Sequence, residues 1–358
     1  MNTPNHIIFN YQHESSFINL DLLFLSNNYS LYKYKFDPAK KLFTPLYFIH
    51  QFFFFIKYWK KYNLIISQIA GYHTFIPSIL SYLKLKKHII ILHGTDCNCI
   101  PEINYGNLQK PVLKWFTKKS IMLCNHLLPV SQSLIENNST YYLKNKAKFG
   151  LQNNIENFNT PYTVIHNCVD DKIFTISQEN RSIKSFITIA LGLNLEKNVK
   201  LKGIDLVINL ARQNPDFEIT ILGSETIFGY KNELKNVKII GKVNHKELNH
   251  YYNLHKYYLQ LSISESFGIS LCEAMLCGCI PIVSNVGMMP EIIQEKNLVL
   301  NEPNIQALEK IISRNIQIGD NIQNMLNRRS LIMDRFSIEQ RKTRLLNLLN
   351  TSILTSSK

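Results

Sequence analysis

A chain of 358 residues with 45% hydrophobic content is too long for one ordinary compact domain and too apolar to be disordered, so two domains are expected. Its net charge of +14 is uneven: residues 1–172 hold 18 Lys against 9 Asp and Glu, a surplus of +9, and the remainder carries +5. A basic first half suits an anionic partner, whether nucleic acid, a phosphate-bearing substrate or an acidic membrane surface. The sequence argues against nucleic acid, since no zinc-finger spacing or aromatic RNP signature is present and no arginine precedes Arg181.

Taken in chain order, the first ten residues contain no long apolar run behind a basic cluster, which argues against a secretory signal and for a cytoplasmic protein. Short apolar runs at 7–10, 64–68, 88–93, 127–130 and 162–166 read as buried strands, with helices at 77–85 and 108–123 between them. The segment 46–61 joins Phe52 to Phe55, Tyr58 and Trp59 to Lys57, Lys60 and Lys61. It is too short and too polar to span a bilayer, and its consecutive phenylalanines favour a well-buried helix. Docking on a membrane surface is the alternative there. The polar segment 177–184 marks the join between domains.

Beyond that join the alternation is clearer, with strands at 186–191, 217–222, 237–240, 257–261 and 280–283, and helices at 204–212, 246–253, 269–277 and 290–295. The expected organisation is a first Rossmann-like domain over 1–177, a second over 178–336, and a terminal helix and tail over 337–358. The apolar side of that last helix needs a surface, and the first domain is the candidate for it. Short strands alternating with helices specify α/β domains with doubly wound parallel sheets. Ligands of such sheets bind at the carboxyl ends of the strands, so two domains facing each other form a cleft. Seven cysteines without a Cys-x-x-Cys pair read as reduced thiols, and Cys97, Cys99 and His93 lack zinc-site spacing.

The segment 262–275 carries the most chemistry. A strand runs into a loop, and a helix begins near Gly268, so the free N–H groups at Gly268, Ile269 and Ser270 and the positive helix end form a site suited to a diphosphate. Glu265 lies in the loop, and Glu273 lies about one and a half turns into the helix, which places two carboxylates to accept hydrogen bonds from hydroxyl pairs. The plain alternative makes Glu265 a dipole partner and Glu273 a solvated helix residue.

Glu265 and Glu273, seven residues apart around Ser266-Phe267-Gly268, resemble the Glu-x7-Glu motif of family 4 glycosyltransferases, which have the GT-B fold. Residues 164–170, Lys202-Gly203-Ile204-Asp205, Gly241-Lys242-Val243, Gly287 and Glu291 follow in that family's order, and His93-Gly94-Thr95-Asp96 resembles its His-Gly segment. The resemblance implies that Glu273 binds the donor ribose and Glu265 the donor sugar, that Lys202 neutralises the diphosphate, and that the backbone at Phe267, Gly268 and Ile269 holds sugar and phosphate oxygens. His93 would face the reacting sugar from the first domain. The implied reaction is retaining hexosyl transfer with no metal and no cofactor beyond the nucleotide-sugar donor, a UDP-sugar being favoured.

The acceptor would be a glycan or a lipid-linked glycan of surface polysaccharide assembly, with the protein cytoplasmic or peripheral on an anionic membrane surface. Two features depart from the family. Lysines, Lys197 and Lys200, stand where an arginine usually precedes Lys202, and the glycine-rich loop after the first strand is replaced by residues 11–17, where His13 and Glu14 are candidates to touch the acceptor. These departures keep open a non-catalytic GT-B protein that binds a glycan or a protein partner.

Overall fold

Each short apolar run of the first half, up to residue 130, pairs in parallel with its neighbours. In the computed structural model, which describes residues 6–36, 43–142, 147–177 and 181–351, β1 (His6–Tyr11), β2 (Ser30–Lys35), β3 (Leu64–Gln68), β4 (Lys87–Leu92) and β5 (His126–Pro129) form a sheet in the order β2-β1-β3-β4-β5. β3 and almost all of β4 are buried, which suits their apolar centres Leu64-Ile65-Ile66 and Ile89-Ile90-Ile91-Leu92, while buried Ser67, Gln68 and His88 are held by hydrogen bonds. Side-chain alternation along β1 divides the core. Ile7 and Phe9 pack with Ile18, Leu22 and Leu25 of α1 (Ser16–Ser26), whereas Ile8 packs with Phe55 of α2 (Thr44–Lys57) and Leu80 of α3 (Phe75–Tyr82). α4 (Pro111–Leu123) lies against α3, and one short turn of helix, α5 (Leu151–Asn154), follows β5.

The second half is a six-stranded parallel sheet, β11-β10-β9-β6-β7-β8, made of β6 (Ser185–Ile189), β7 (Glu218–Leu222), β8 (Val237–Ile240), β9 (Tyr257–Gln260), β10 (Ile280–Ser284) and β11 (Val299–Leu300). Around it run α6 (Glu196–Lys202), α7 (Ile204–Gln213), α8 (Leu248–Leu254), α9 (Ile269–Leu276), α10 (Met289–Ile293), α11 (Ile305–Ile318) and α12 (Ile322–Phe336). The chain therefore has two Rossmann-like parallel-sheet domains, the GT-B architecture. α13 (Ile338–Thr351) turns from the second half onto the first. Its Arg341 clasps the buried Asp21 of α1 with two hydrogen bonds of 2.7 and 2.8 Å, and Tyr29 donates to Asn350 at 2.8 Å.

Besides the two-residue β11, too short to register as an apolar run, three sequence expectations differ from the structure. β2 was not among the expected strands because Ser30-Leu31-Tyr32-Lys33-Tyr34-Lys35 is a half-exposed edge strand without an apolar run. Residues 162–166 run beside β5, where Leu127 N–H donates to Pro161 O at 2.9 Å and Thr163 N–H donates to Leu127 O at 3.0 Å, but only one bridge forms and no strand results. The third correction concerns α2, expected to be well buried. It buries only Gln51 and Phe55 and leaves Leu46, Ile49, Phe52, Phe53 and Ile56 about half exposed.

Beneath α2 and α3 the contacts with the sheet include a polar layer. Gln51 and Asn10 both donate to His73 O, at 2.8 and 3.0 Å, and His88 bridges Ser67 and Ser78 at 2.8 and 3.0 Å. α2 thus turns polar Gln51 inward and much of its apolar surface outward. Among the described residues no helix is long and apolar enough to cross a membrane. The expected tail 352–358 and residues 178–180 of the expected join lie outside the described residues.

Candidate active site

The loop from β9 to α9 is held by its own geometry. Ser284 Oγ donates to Ser262 O at 2.6 Å, and Gly268 caps α9 with φ +91°, a conformation side-chain-bearing residues avoid. Gly287, at φ +59°, lies so close that a Cβ there would sit 1.8 Å from Glu265 O. A glycine at this point lets the loop pack down and aims the Glu265 side chain into the space between the domains. That space is a cleft of about 620 Å³.

Glu265 Oε2 accepts from Lys202 Nζ at 3.1 Å and from Gln260 Nε2 at 2.9 Å. The Glu265 charge raises the Lys202 pKa above its usual value against the opposing effect of burial, so Lys202 is a firm cation. Glu273 is only 3% exposed, and both its oxygens are held: Oε1 lies 2.6 Å from His245 Nε2, and Oε2 accepts from Tyr252 Oη at 3.2 Å. The hydrogen bond to Glu273 raises the His245 pKa, with the carboxylate charge adding to it and burial opposing.

Across the cleft, His93 packs against Phe17 with ring centres 4.4 Å apart and planes tilted by 34°, and its Nε2 lies 2.6 Å from Gln68 Oε1. Burial, reinforced by the nearby Arg341 charge and only partly offset by Asp21, lowers the His93 pKa to about 3, so the ring is neutral. The domains meet here. Ser266 Oγ donates to His93 O at 2.6 Å, Asn98 Nδ2 donates to Ser264 Oγ at 3.1 Å, and Gly94, at φ +127°, leaves room for the Ser266 side chain.

Of the residues singled out in the sequence, His93, Lys202, Glu265, Phe267, Gly268, Ile269 and Glu273 all line this one cleft. Lys197 and Lys200 do not. α6 buries Val199 and Leu201, which turns Lys200 outward to pair with Glu196 at 2.9 Å and leaves Lys197 exposed. Glu14 lines the cleft from the loop after β1. Three residues that sequence reasoning did not select also line it: Lys242, Gln260 and His245. Lys242 stood inside a quoted motif without its charge being weighed, and His245 lies 28 positions from the glutamate it touches, beyond the reach of any local spacing. No cluster of three or more His, Cys, Asp or Glu side chains among the described residues is arranged to hold a metal ion.

Comparison with known proteins bears on the same region. The family of glycosyl transferases group 1 matches residues 186–329. One component of human phosphatidylinositol N-acetylglucosaminyltransferase is 28% identical over 206 residues, 49% of this chain and 42% of that protein, so the match spans less than half of the relative. O-antigen chain mannosyltransferase B of Escherichia coli is 28% identical over 81 residues, 23% of this chain and 21% of that one. Among solved structures, sucrose-phosphate synthase of Thermosynechococcus elongatus superimposes with a TM-score of 0.69 at 16% identity, covering 96% of this chain and 98% of that one. Anabaena HepE in complex with UDP and glucose gives 0.64 at 16% identity over 97% and 99%. At such identities the structural likeness carries the fold, and the sequence match shows a likeness to the family over the second domain. The second domain of this chain thus matches the family of glycosyl transferases group 1, and the whole described chain has a GT-B frame like that of these solved structures.

Proposed function

We propose that the chain is a retaining glycosyltransferase that moves a sugar from a nucleoside-diphosphate sugar, a UDP-sugar by preference, to a glycan or lipid-linked acceptor in surface polysaccharide assembly. The observation that carries this reading is the convergence of Glu265, Glu273, Lys202 and the N-terminus of α9 on one wall of a cleft whose other wall presents His93. The diphosphate charge is met by Lys202, Lys242 and the free N–H groups of α9, so no divalent ion is needed. Glu265 takes the sugar hydroxyls and Glu273 the ribose. A neutral His93 accepts a hydrogen bond without repelling the positive charge that develops on the sugar. The departing phosphate oxygen takes the proton of the acceptor hydroxyl on the same face, which preserves the anomeric configuration. The UDP and glucose bound by HepE support the donor class. The lipid and O-antigen substrates named for the two relatives support the acceptor class.

Calorimetric titration with UDP and with UDP-glucose tests the assignment. Losing a hydrogen-bonded carboxylate costs about 1.5–3 kcal/mol, tenfold to a hundredfold in affinity. Glu273→Ala should lose this for both ligands, because both carry the ribose. Glu265→Ala should bind UDP as well as the wild type or better, since Lys202 is released from its ion pair, and should lose affinity for UDP-glucose. Equal losses for the two ligands in Glu265→Ala would place that residue on the wrong part of the donor. Slow UDP-glucose hydrolysis that survives EDTA separates the enzyme from a non-catalytic glycan-binding protein.

The same reading places the reaction at an anionic membrane surface, with the protein peripheral on the cytoplasmic side. Its support is the outward apolar face of α2, continued by the exposed Val112 and Trp115 of α4 and bordered by Lys57, Lys60, Lys61 and Lys119. Aromatic side chains that enter the lipid boundary, with lysines beside them, match an interface carrying negative headgroups.

A further inference from the structure

A buried chain of hydrogen bonds joins the last helix to the cleft. Arg341 of α13 donates through Nε and Nη2 to the two oxygens of Asp21, at 2.7 and 2.8 Å. Asp21 Oδ2 also accepts from Gln68 Nε2 at 2.9 Å, and Gln68 Oε1 lies 2.6 Å from His93 Nε2. Asp21, Gln68 and Arg341 are 0%, 1% and 4% exposed, so the links among these three are closed to water, and His93 joins them to the cleft.

The direction of every link follows from what each group can do. A guanidinium only donates and a carboxylate only accepts, so the ion pair commits Asp21 as an acceptor. Gln68 must then turn its NH2 toward Asp21, because a flipped amide would set its oxygen against the carboxylate. Its carbonyl oxygen is thereby fixed toward His93, and an oxygen of this kind accepts only. His93 Nε2 must carry the ring proton. In a neutral imidazole this leaves Nδ1 as the acceptor, and Nδ1 makes no hydrogen bond among the described residues. The backbone of His93 is held as well, its N–H by Asp96 at 3.2 Å and its carbonyl by Ser266 at 2.6 Å.

We propose that Gln68, oriented by Asp21 and Arg341, is a positioning residue that locks His93 in the Nε2–H tautomer, so that Nδ1 is offered to a donor hydroxyl as an acceptor. The purpose of the lock rests on the reading of His93 as a donor-facing group; the tautomer itself does not. α13 is fastened to the first domain by Arg341, through Asp21, Ile165 O and His166 O, and by the Tyr29–Asn350 bond, none of which involves the Gln68–His93 contact.

The test uses the full chain labelled with 15N in its histidine rings, with His93→Gln identifying the His93 signal. Wild-type His93 is expected as a single neutral Nε2–H form at pH 7. Gln68→Leu, which keeps the ion pair and so keeps the fold, should show both tautomers and hydrolyse UDP-glucose with kcat lowered about tenfold and KM changed less than about twofold, the loss of one hydrogen-bonded orientation. An Nδ1–H form in the wild type, or ring spectra and kcat unchanged in Gln68→Leu, would overturn the proposal. Wild-type hydrolysis by His93→Gln would instead overturn the donor-facing role, and the lock's purpose with it, while the ring spectra still decide the tautomer.

Discussion

At the scale of single residues, Glu273 and His245 form a close pair in the cleft, and their pairing makes a pH prediction. The folded-state pKa of His245 is raised, first by its hydrogen bond to Glu273. A group raised in this way contributes stability that is fully present below the unfolded value of about 6.5 and is lost as pH rises through the folded value. Melting curves of the wild type and His245→Gln should therefore differ most in mild acid and converge above the raised value. A gap that widens with rising pH would mean that His245 is held neutral. Sequence reading reached Glu265, Glu273 and Lys202 because short local motifs carry them; it missed His245 because its contact is made by a side chain 28 positions from Glu273, and Gln260 because the end of a buried strand gives no sign that it turns to Glu265 five residues on. The lysines proposed in place of an arginine show the reverse failure, since position in the chain suggested Lys200 while the turn of α6 points it at Glu196.

At the scale of elements, five of the six strands of the second sheet were legible because each carries a short run rich in apolar residues, whereas the two-residue β11 was not, and α9 was legible because a glycine and a loop precede it. α2 was misread. Its composition is that of a core helix, and only the sheet shows that Gln51 faces inward while Phe52 and Phe53 are 47% and 61% exposed. Burying a phenylalanine side chain gains about 1.5–3 kcal/mol, so a Phe52→Ser, Phe53→Ser double variant should lose on the order of a hundredfold in partitioning to phosphatidylglycerol vesicles. Salt should release the wild type in part, because the lysine contribution is screened over about 8 Å at physiological ionic strength. Equal recovery of the wild type with neutral phosphatidylcholine vesicles, or no effect of the two serines, would remove the membrane from the reading.

At the scale of the whole molecule, the two domains are tied by α13, whose ion pair with α1 lies in the core. Removing one partner of a buried pair strands a charge and costs about 3–5 kcal/mol, whereas replacing both with apolar groups is often neutral. Arg341→Met should thus lower the urea midpoint steeply, and Asp21→Leu combined with Arg341→Met should restore most of it. If the double variant is as unstable as the single one, the hydrogen bonds from Arg341 to Ile165 O and His166 O, at 3.1 and 2.7 Å, hold the helix instead. The crossing of a final helix was suggested by its unpartnered leucines, but its anchor was not, since nothing in the sequence pairs positions 21 and 341.

That pairing also orders events during synthesis. Asp21 leaves the ribosome 320 residues ahead of the arginine that neutralises it, a delay of roughly 16 to 64 s at about 5–20 residues per second. For that time the nascent first domain holds a carboxylate that must stay hydrated or protonated, and α1 cannot settle fully against its sheet. Its final packing awaits the synthesis of α13, so the first domain is completed only after the second has been made.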